Sequence, residues 1–428
     1  MWYKLIYKIG VKLRNPSLTG WYQFLKQSET WNLTQLEEYQ LKKLKVLLVY
    51  ATKHSTFYKK FYTKNTISID AIKSLSDLQK LPLLTKETVL KNSKQIQVVP
   101  PNTKLFNAST SGSTGESLKF KRDESADSFN RASQLRGYSW YNVKPWEKNG
   151  YFWGYNFSLL ETLKTKFLDF LQHRFRLFSY TNKNVNLFLN NLQTASYMEG
   201  YSSMIFELAK KVNTNTTAYN FNLKLVKGTS EKIFDSYKTE IKKAFNVNFT
   251  SEYGAAESGI IAFECKQGNM HINMEGVIVE EIDSEIVVTN LQMKSFPIIR
   301  YKLGDYIKLA PTKVRCKCGL NHRIIETVNG RVGEKVFGKK HTYPSLYFYY
   351  IFKNISKKYN LHLTYQVKQL KKGVLIFNIE DVLNPEEHTI LSNEVIKHFD
   401  NDVLFEINDN ATLERKKNKL ISFISTVE

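Results

Sequence analysis

A run of hydroxyl side chains and glycines, "ASTSGSTGESLK" at residues 108–119, has a composition that could do chemistry. Glycine lets a backbone turn its N–H groups toward a ligand, and serine or threonine hydroxyls add donors without bulk. The run therefore predicts a loop that holds a phosphate chain, although it lacks the Gly-Lys-Ser/Thr of a Walker motif. A flexible linker between two domains has the same composition and is the alternative interpretation.

Three later stretches carry polar side chains at places where a ligand could bind. In "SEYGAAESG" at 251–259, Glu257 follows a predicted strand, and open α/β sheets bind ligands at strand ends. "RYKLGD" presents Asp305 after a glycine turn, where it could accept hydrogen bonds from a ribose diol, and "NGRVGE" offers Arg331. Each stretch taken singly could be an ordinary turn with a solvated charge, so only their combination is informative.

The three cysteines of the chain fall into one pattern with a histidine. Cys265 and His271 form Cys-x₅-His, and Cys316 and Cys318 follow as Cys-x-Cys. Four such ligands with no open position describe a structural zinc site. Three unrelated thiols are the alternative, because Cys-x-Cys is tighter than the usual finger spacing. The cysteines are too few for a disulfide framework.

The elements that would position these residues alternate between helix and strand in the middle of the chain. Residues 186–212 predict one long helix region, "FNLKLVKGTS" a strand, "EKIFDSYKTEIKKAF" an amphipathic helix and "VNFTSEYG" a strand. This alternation predicts an α/β sheet.

Residues 34–50 predict a helix that opens with a capping box formed by Thr34 and Glu37. Its apolar residues recur at helical spacing and are expected to face a core. These residues are Leu36, Leu44, Leu47 and Leu48.

From about residue 270 the pattern changes to short β-branched runs such as "GVIVEEI" and "SEIVVTNL". Beyond "NGRVGE", strand-like runs such as "GVLIFNIE" alternate with a helix candidate, "HTILSNEVIKHF". The sequence therefore predicts an α/β protein in two domains. A large N-terminal domain (1–333) would combine α/β sheets with a β-rich part, and a small, mobile α+β domain (334–428) would follow.

The composition is typical of folded domains, and the distribution of charge bears on whether the protein binds nucleic acid. Of 428 residues, 42% are hydrophobic, which is enough for two or three buried cores. The formal net charge of +22 is spread in short clusters, without a zinc-finger spacing or a long basic helix. A solvated lysine-rich surface is therefore favoured over nucleic-acid binding.

The N-terminal segment "MWYKLIYKIGVKLRNP" mixes aromatic residues with cations. It lacks the apolar core of a signal peptide, and no stretch of the chain could span a bilayer, which predicts a cytoplasmic protein. Trp2, Tyr3, Lys4 and Lys8 could make a weak peripheral contact with an anionic membrane. A packed first helix is the favoured interpretation.

Taken in order, these motifs resemble the superfamily of acyl-adenylate-forming enzymes, and within it the phenylacetate–CoA ligase and capsular-polysaccharide-biosynthesis branch. The resemblance covers roughly residues 50–428. The segments that carry it are "TSGSTGE", "SEYGAAESGIIAFEC", "GNMHINMEGVIVEEI", "FPIIRYKLGD", "CKCG", "IIETVNGRVGE" and "ERKKNKLISF".

The resemblance implies a two-step reaction. A carboxylate would attack the α-phosphate of ATP, with Mg²⁺ bound, to give acyl-AMP and pyrophosphate. CoA or the amino group of a sugar precursor would then displace AMP. The small domain would swivel about a hinge near Gly333 and Glu334 between the two steps.

The resemblance also implies which residues serve which ligand. Glu257 would bind Mg²⁺, and Tyr253 would stack on the adenine. Asp305 would hold the ribose hydroxyls, Arg331 a ribose or phosphate oxygen, and Lys419 would be the catalytic lysine of adenylation. The remaining ATP or AMP contacts implied in this way are Thr110, Ser111, Gly112, Ser113, Thr114, Gly115, Ser230, Glu231, Glu252 and Gly254.

Some positions depart from the pattern of the family. Ser117 and Leu118 stand where many relatives carry proline and lysine, and Ala256 stands where most carry Ser or Thr. The C-terminal motif reads "KNK" instead of "NGK", so Lys416 and Lys417 are alternatives to Lys419. These departures are typical of a divergent branch, because the acidic and basic residues at the other motif positions remain.

For the cysteines, related sequences carry a similar Cys/His pattern, which favours zinc over unrelated thiols. The zinc would join the β-rich part to the α/β part.

Two other functions stay open for the whole chain. One is a basic binding protein for nucleic acid or membranes that keeps the fold without the chemistry, and the other is a polysaccharide-assembly partner that binds ATP without turnover.

Overall fold

The computed structural model describes most of the chain and divides it into two compact units. The described residues are 2–110, 117–152, 159–177, 182–215, 218–230, 233, 235–329, 335–361, 363–416, 419–420 and 423–427. The first unit comprises Met1–Ala108 and Lys119–Arg331, and the second comprises Ser109–Leu118 and Val332–Glu428. The last division between units falls after residue 331, whereas the sequence predicted a boundary after residue 333.

The elements up to residue 329 begin with helices, continue with mixed helices and strands, and end with consecutive strands. The helices are α1 (Trp2–Arg14), α2 (Leu18–Ser28), α3 (Leu33–His54), α4 (Thr56–Lys64), α5 (Lys86–Lys91), α6 (Ser93–Ile96), α7 (Glu124–Trp140), α8 (Leu159–Leu171), α9 (Asn182–Leu192), α10 (Ser202–Thr214) and α11 (Asp235–Phe245). The strands are β1 (Leu105–Ser109), β2 (Lys119–Asp123), β3 (Asn149–Phe152), β4 (Arg174–Arg176), β5 (Tyr197–Tyr201), β6 (Leu225–Thr229), β7 (Phe249–Ala255), β8 (Gly259–Glu264), β9 (Met270–Ile272), β10 (Val277–Ile282), β11 (Glu285–Asn290), β12 (Tyr301–Leu309) and β13 (Ile324–Asn329).

One long sheet organises the first unit, with strands in the order β10-β11-β12-β13-β9-β8-β7-β6-β5-β3-β4. Its β4-β3-β5-β6-β7 half is parallel, because a helix connects each of these strands to the next one along the chain. From β7 to β10 every pairing is antiparallel. This change of direction agrees with the predicted switch from an α/β to a β-rich pattern.

Helix α3 confirms the predicted apolar face but begins one residue earlier. Asn32 is the N-cap, and it forms the capping box with Gln35 in place of the predicted Thr34–Glu37 pair. Both pairs have the three-residue spacing of a capping box. Asn32 is a favourable N-cap because its short side chain accepts a hydrogen bond from the N3 amide. The buried residues of α3 include Leu36, Leu44, Leu47 and Leu48.

The single long helix region predicted over 186–212 is wrong. The structure has the end of α9, then the strand β5 at Tyr197–Tyr201, then α10. Every residue of β5 is buried, and β5 pairs on both sides, with β3 and β6. A strand enclosed in this way shows no period-2 alternation, so its sequence resembles a helical segment.

The second unit is the predicted α+β arrangement. A four-stranded sheet in the order β18-β17-β16-β21 is accompanied by two helices whose buried residues include Phe348 and Phe399. Its elements are β14 (Lys335–Phe337), β15 (Thr342–Pro344), α12 (Leu346–Tyr359), β16 (Tyr365–Lys371), β17 (Val374–Ile379), α13 (Pro385–Phe399), β18 (Leu404–Asn408), β19 (Arg415–Lys416), β20 (Lys419–Leu420) and β21 (Phe423–Ser425).

Helix α1 is the N-terminal helix predicted to be packed, and none of its residues is fully buried. One side of it, including Tyr3 and Tyr7, is half-buried, while the opposite side is exposed. Across the described residues, no helix combines the length and the apolar character needed to cross a bilayer.

Candidate functional site

The carboxyl ends of the neighbouring parallel strands β6 and β7 carry several of the residues predicted to contact a nucleotide, namely Ser230, Glu252, Tyr253 and Gly254. Gly228 pairs with Ser251 and Thr229 pairs with Glu252, and β7 continues beyond the end of β6 to Ala255. The chain then turns through Ala256 and Glu257 into β8. Open α/β sheets bind ligands at this edge because loops there can diverge around a crevice.

Directly before this edge, Lys227 of β6 is buried between two carboxylates. Its Nζ lies 2.8 Å from Glu252 Oε2 and 2.9 Å from Glu199 Oε2, and its side chain is 1% exposed. Arg174 lies 3.2 Å from the other oxygen of Glu199, and the Tyr138 hydroxyl donates to Glu199. A cation at this depth is stable only because both of its partners are charged and hydrogen-bonded.

Burial and the charge partners act in opposite directions on the pKa values of this cluster. Burial by itself raises the pKa of Glu199, but Lys227 and Arg174 lower it more, so the net pKa lies below its ordinary value. Burial likewise lowers the pKa of Lys227, but Glu199 and Glu252 raise it above its ordinary value. Glu199 and Lys227 are therefore ionised at neutral pH.

Glu252 was predicted to contact the nucleotide. In the structure its carboxylate is buried and forms an ion pair inside the first unit. It is 7% exposed and holds Lys227, with a further contact of 3.4 Å from Gln134 Nε2. The carboxylate therefore anchors the strand that carries Tyr253. Residues of a strand alternate between its two faces, so Glu252 and its neighbour Tyr253 point in opposite directions.

Tyr253 and Asp305 are joined by a hydrogen bond of 2.9 Å from the tyrosine hydroxyl to Asp305 Oδ2. Asp305 does not follow a turn, as the sequence predicted, but lies inside the continuous strand β12. The register between β11 and β12 shifts at this point, and Gly304 adopts a left-handed φ of 87°. Glycine permits such a bulge, which redirects the neighbouring side chains.

Glu257 lies in the turn after β7 and is 7% exposed. The Tyr301 hydroxyl lies 3.3 Å from Glu257 Oε1, and the amide of Asn290 donates to the Glu257 carbonyl oxygen at 3.0 Å. Arg122 donates to the carbonyl oxygen of Ala256 at 2.7 Å. These three contacts fix both the backbone of the turn and the direction of the carboxylate.

Gly254 is required by the close pairing of β7 and β8. A Cβ at this position would lie 2.6 Å from the carbonyl oxygen of Gly259, which is backbone and cannot rotate away. The register of the two strands shifts between Tyr253 and Gly254. The glycine therefore has a packing reason beside its predicted ligand role.

The hydroxyl-rich loop is described only at its base. Thr110 N donates to the Leu118 carbonyl, Leu118 N donates to Thr110 Oγ1, both at 3.0 Å, and Ser117 Oγ donates to the Thr110 carbonyl at 2.6 Å. Ser117, the residue that replaces the family's proline, thus helps to close the loop, and Leu118 is buried. The central residues Ser111, Gly112, Ser113, Thr114 and Gly115 lie outside the described residues.

Of the remaining residues predicted to bind ATP or AMP, the structure describes some and not others. Ser230 directly follows β6 with a left-handed φ of 68°. Glu231 and Arg331 lie outside the described residues. Lys419 lies in the short strand β20 of the second unit, where its Cα pairs with that of Lys416 in β19.

Sequence reasoning did not identify the supporting residues Lys227, Glu199 and Tyr301. Lys227 had a recognisable signal, because it is the lysine inside the otherwise buried strand "LVKGT". Glu199 was hidden by the wrong assignment of its strand to a helix. Tyr301 had no such signal, since an aromatic residue in a β-rich run predicts only a core position.

The four cysteine and histidine residues converge on one point. The potential ligand atoms of Cys265, His271, Cys316 and Cys318 all lie within 4.8 Å of one another. The Sγ atoms of Cys265 and Cys316 are 3.6 Å apart, and Cys318 Sγ lies 3.2 Å from His271 Nε2. Tetrahedral zinc with its usual bond lengths has S···S and S···N edges of about 3.5–3.8 Å, which these distances approach.

The surroundings also fit a metal centre. His271 Nδ1 lies 3.3 Å from the His322 carbonyl oxygen, an arrangement that directs Nε2 toward the cysteines. Asn269 donates to Cys316 Sγ at 3.1 Å, as expected for a thiolate. Cys265 follows β8, His271 lies in β9, and Cys316 and Cys318 lie on the β12–β13 connection, all in the antiparallel half of the sheet. A metal bound here would join these segments to one another.

Among curated proteins, the chain is similar to Protein CapK of Staphylococcus aureus. The two are 25% identical over 311 residues, which span 68% of this chain and 66% of CapK, slightly under two thirds of its length. No family model matches the chain.

Among solved structures, the chain is similar to 2-hydroxyisobutyryl-CoA ligase in two states. The ligase bound to 2-HIB-AMP and CoA in the thioesterification state superposes with a TM-score of 0.63 and 16% identity. The postadenylation state bound to R3-HIB-AMP gives a TM-score of 0.60 and 15% identity. Each comparison covers 94% of this chain and 91% of the ligase, so the likeness extends over both units.

Proposed function

Because this chain has the fold of the acyl-adenylate-forming ligases, we propose that it activates a carboxylic acid with ATP and then transfers the acyl group. The observation that carries the proposal is the hydrogen bond of 2.9 Å that joins Tyr253 to Asp305, with Glu257 in the turn that follows the strand of Tyr253. In the first step a carboxylate oxygen bonds to the α-phosphorus of ATP, and the bond from that phosphorus to pyrophosphate breaks. In the second step the acceptor bonds to the acyl carbon and AMP leaves.

The residues of the first unit have distinct roles in this proposal. The Tyr253 ring stacks on the adenine, and the Asp305 carboxylate accepts hydrogen bonds from the ribose hydroxyls. Their mutual hydrogen bond of 2.9 Å orients the two groups relative to each other. Ser230 and Gly254 border the same edge, and Lys227 with Glu252 holds it in place.

Glu257 is the proposed Mg²⁺ ligand. Its side chain is an oxygen donor held by Tyr301, and carboxylate oxygens are the ligands that Mg²⁺ prefers. When bound, the ion would neutralise charge on the phosphates. Loop residues from Thr110 to Gly115 and the residues Glu231, Arg331 and Lys419 are proposed to contact the phosphates or ribose on the strength of the family resemblance.

CoA is the proposed acceptor, because the structural neighbour carries both an acyl-AMP and CoA. A CoA thiol would bond to the acyl carbon and release its proton to a base. An amino group of a sugar precursor is the second candidate, on the strength of the resemblance to the capsular-polysaccharide-biosynthesis branch. Both acceptors and ATP are cytoplasmic metabolites, so we place the reaction in the cytoplasm.

Carboxylate-dependent ATP–pyrophosphate exchange tests the first step. The wild type is assayed with pools of aryl acids, short acyl acids and amino acids, beside Glu257→Gln and the control Glu326→Gln. Glu326 is an exposed carboxylate paired with Lys308 at 2.8 Å, so its loss should not affect exchange. Exchange with one pool that disappears only in Glu257→Gln supports the proposal and identifies the acid class.

Binding of ATP without exchange in any pool would contradict the proposal and favour a protein that binds nucleotide without turnover. Salt-sensitive binding to DNA without ATP binding would favour the basic binding protein. Once an acid is known, the acceptor is identified by adding CoA or an amino sugar and measuring the release of AMP.

We also propose that Cys265, His271, Cys316 and Cys318 hold a structural zinc ion. The donor set of three sulfurs and one imidazole leaves no position for a substrate. The purified protein should contain about one zinc per chain, and chelation should lower its melting temperature. The variant His271→Ala should lose the metal, whereas His54→Ala, which removes an exposed histidine of α3, should retain it. Full thermal stability of a metal-free preparation would contradict the proposal.

A further inference from the structure

Helix α1 presents an apolar stripe to solvent. Trp2, Leu5, Ile9 and Leu13 follow a helical spacing and are 64%, 52%, 52% and 73% exposed. Residues at this spacing lie on one face of a helix. The half-buried residues of α1, including Tyr3 and Tyr7, lie on the other side. The helix therefore rests on the unit by one face and leaves a second apolar face exposed.

Helix α8 is amphipathic, but its apolar face is exposed to solvent. Leu160, Leu163, Phe167 and Phe170 share one face and are 81%, 65%, 61% and 58% exposed. Asp169, on the opposite face, is buried and holds Arg176 with two hydrogen bonds of 2.8 Å. A surface helix normally buries its apolar face, so this arrangement requires another explanation.

The two helices are neighbours in the first unit. The ring of Tyr3 in α1 lies 6.2 Å from that of Phe170 in α8 and stacks on His173 at 3.8 Å. Eight large apolar side chains are thus exposed on adjacent helices of the first unit. Scattered exposed apolar residues are normal in proteins, but a contiguous group of this kind indicates a partner or a membrane.

The charges around this surface are mostly positive. Lys4, Lys8 and Lys12 recur every four residues beside the stripe of α1, and Lys164 is exposed beside the stripe of α8. Arg14 is exposed at the end of α1 and lies over the ring of Phe106. The acidic residues of the two helices are Glu161 and Asp169, and the second of these is buried.

We propose that the exposed faces of α1 and α8 dock on an anionic lipid surface. Apolar side chains enter the boundary between headgroups and acyl chains, while flanking lysines contact the anionic headgroups, as in interfacial amphipathic helices. The observation that selects lipid is charge complementarity, since the apolar stripes are bordered by lysines on both helices. This docking does not depend on the adenylation reaction, and it would place the protein's chemistry beside a membrane.

Flotation with lipid vesicles tests the proposal. The full chain is mixed with vesicles of phosphatidylcholine alone or with phosphatidylglycerol added, at low and at physiological salt. We expect binding to the anionic vesicles that weakens with salt. The double variant Leu5→Glu/Ile9→Glu should lower partitioning at least about tenfold, because it places charge in the apolar boundary.

The matched control is Val46→Glu/Val49→Glu. These valines of α3 are 48% and 57% exposed, close to the values for Leu5 and Ile9, and lie outside the proposed surface. This variant should bind like the wild type.

The charges are tested separately with the triple variant Lys8→Gln/Lys12→Gln/Lys164→Gln. Its partitioning should fall on the order of 100-fold, at about 1 kcal/mol per lysine near an anionic surface. The control variant loses the same charge elsewhere, because glutamine replaces three exposed lysines of α4, which are Lys59, Lys60 and Lys64.

Several outcomes would overturn the proposal. They are equal partitioning of the Leu5/Ile9 and Val46/Val49 variants, binding that is unaffected by anionic lipid, and no vesicle binding at all. If light scattering shows a dimer of the wild type that Leu5→Glu/Ile9→Glu abolishes, the surface binds a second copy, and the lipid assignment is wrong.

Discussion

At the scale of single residues, the pair formed by Tyr253 and Asp305 links adenine and ribose recognition in the proposed site. The 2.9 Å hydrogen bond between them is made by groups on strands that are not neighbours in the sheet. One consequence is that the tyrosine hydroxyl should contribute to nucleotide binding without touching the nucleotide.

Tyr253→Phe keeps the ring and removes this hydrogen bond. We expect the KM for ATP to rise about 3- to 10-fold, the effect of losing one hydrogen bond to a carboxylate that then becomes less well oriented. The control is Tyr306→Phe, which changes an adjacent tyrosine that is 53% exposed. An equal effect in the two variants would contradict the role given to Tyr253.

Lys227 is the residue whose replacement should cost the most stability. Lys227→Met leaves Glu199 and Glu252 buried without their shared cation, which should lower the free energy of unfolding by about 3–5 kcal/mol. Lys224→Met removes a lysine three residues away that pairs with Glu147 at the surface, and should cost about 1 kcal/mol or less. Urea titration of the two variants measures the difference.

The same cluster predicts a pH dependence. In the wild type the pKa of Glu199 is held below its ordinary value of 4.5. Its contribution to stability is therefore complete above pH 4.5 and is lost as the pH falls through the lowered pKa. In Lys227→Met the loss of this cation raises the pKa of Glu199, so the folded variant binds this proton more readily than the folded wild type. The difference in stability between wild type and variant should thus narrow as the pH is lowered from 7 to 4, and a constant difference would contradict this account.

At the scale of elements, the junction of β7 and β8 determines where Glu257 is presented. Gly254→Ala would bring a Cβ to 2.6 Å from the Gly259 carbonyl oxygen, and relieving this overlap requires the strands to separate. We expect a loss of about 1–3 kcal/mol in the free energy of unfolding. Gly20→Ala in α2, where nothing lies within 4 Å of the added Cβ, should raise stability by about 0.5–1 kcal/mol. Thermal unfolding of both variants provides the comparison, and a gain in both would show that the junction tolerates a side chain.

Several helices and strands could be predicted from the sequence, and others could not. The apolar spacing of α3 and the strand-like run of β17 were visible in the sequence. The strand β5 was not, because all of its residues are buried and its apolar run carries no alternation. The exposed apolar face of α8 was also missed, because periodicity shows that a helix is amphipathic without showing which face is covered.

At the scale of the whole molecule, the predicted catalytic lysine belongs to the second unit, where the Cα of Lys419 in β20 pairs with that of Lys416 in β19. Its proposed role in adenylation is tested by substitution.

Lys419→Gln should lower ATP–pyrophosphate exchange on the order of 10²–10³-fold, as expected when one electrostatic contact to the transition state is lost. Transfer from a chemically prepared acyl-AMP should be unchanged, because that step does not require the charge. Lys416→Gln and Lys417→Gln serve as controls for the same assay. A large loss in either control, with Lys419→Gln unaffected, would move the catalytic role to that lysine.

The sequence by itself determined the fold class, the order of the motifs and the residues that could meet a nucleotide or a metal. These properties are local, because they depend on spacing, turn chemistry and side-chain type along the chain. The tertiary structure alone decided that Glu252 serves Lys227, that Tyr253 meets Asp305, and that the four zinc-ligand candidates lie within 4.8 Å of one another. It also decided that α1 and α8 are neighbours and that each has an exposed apolar face. The reason is that such contacts join distant segments through the twist and order of the sheet, which no single stretch of sequence encodes.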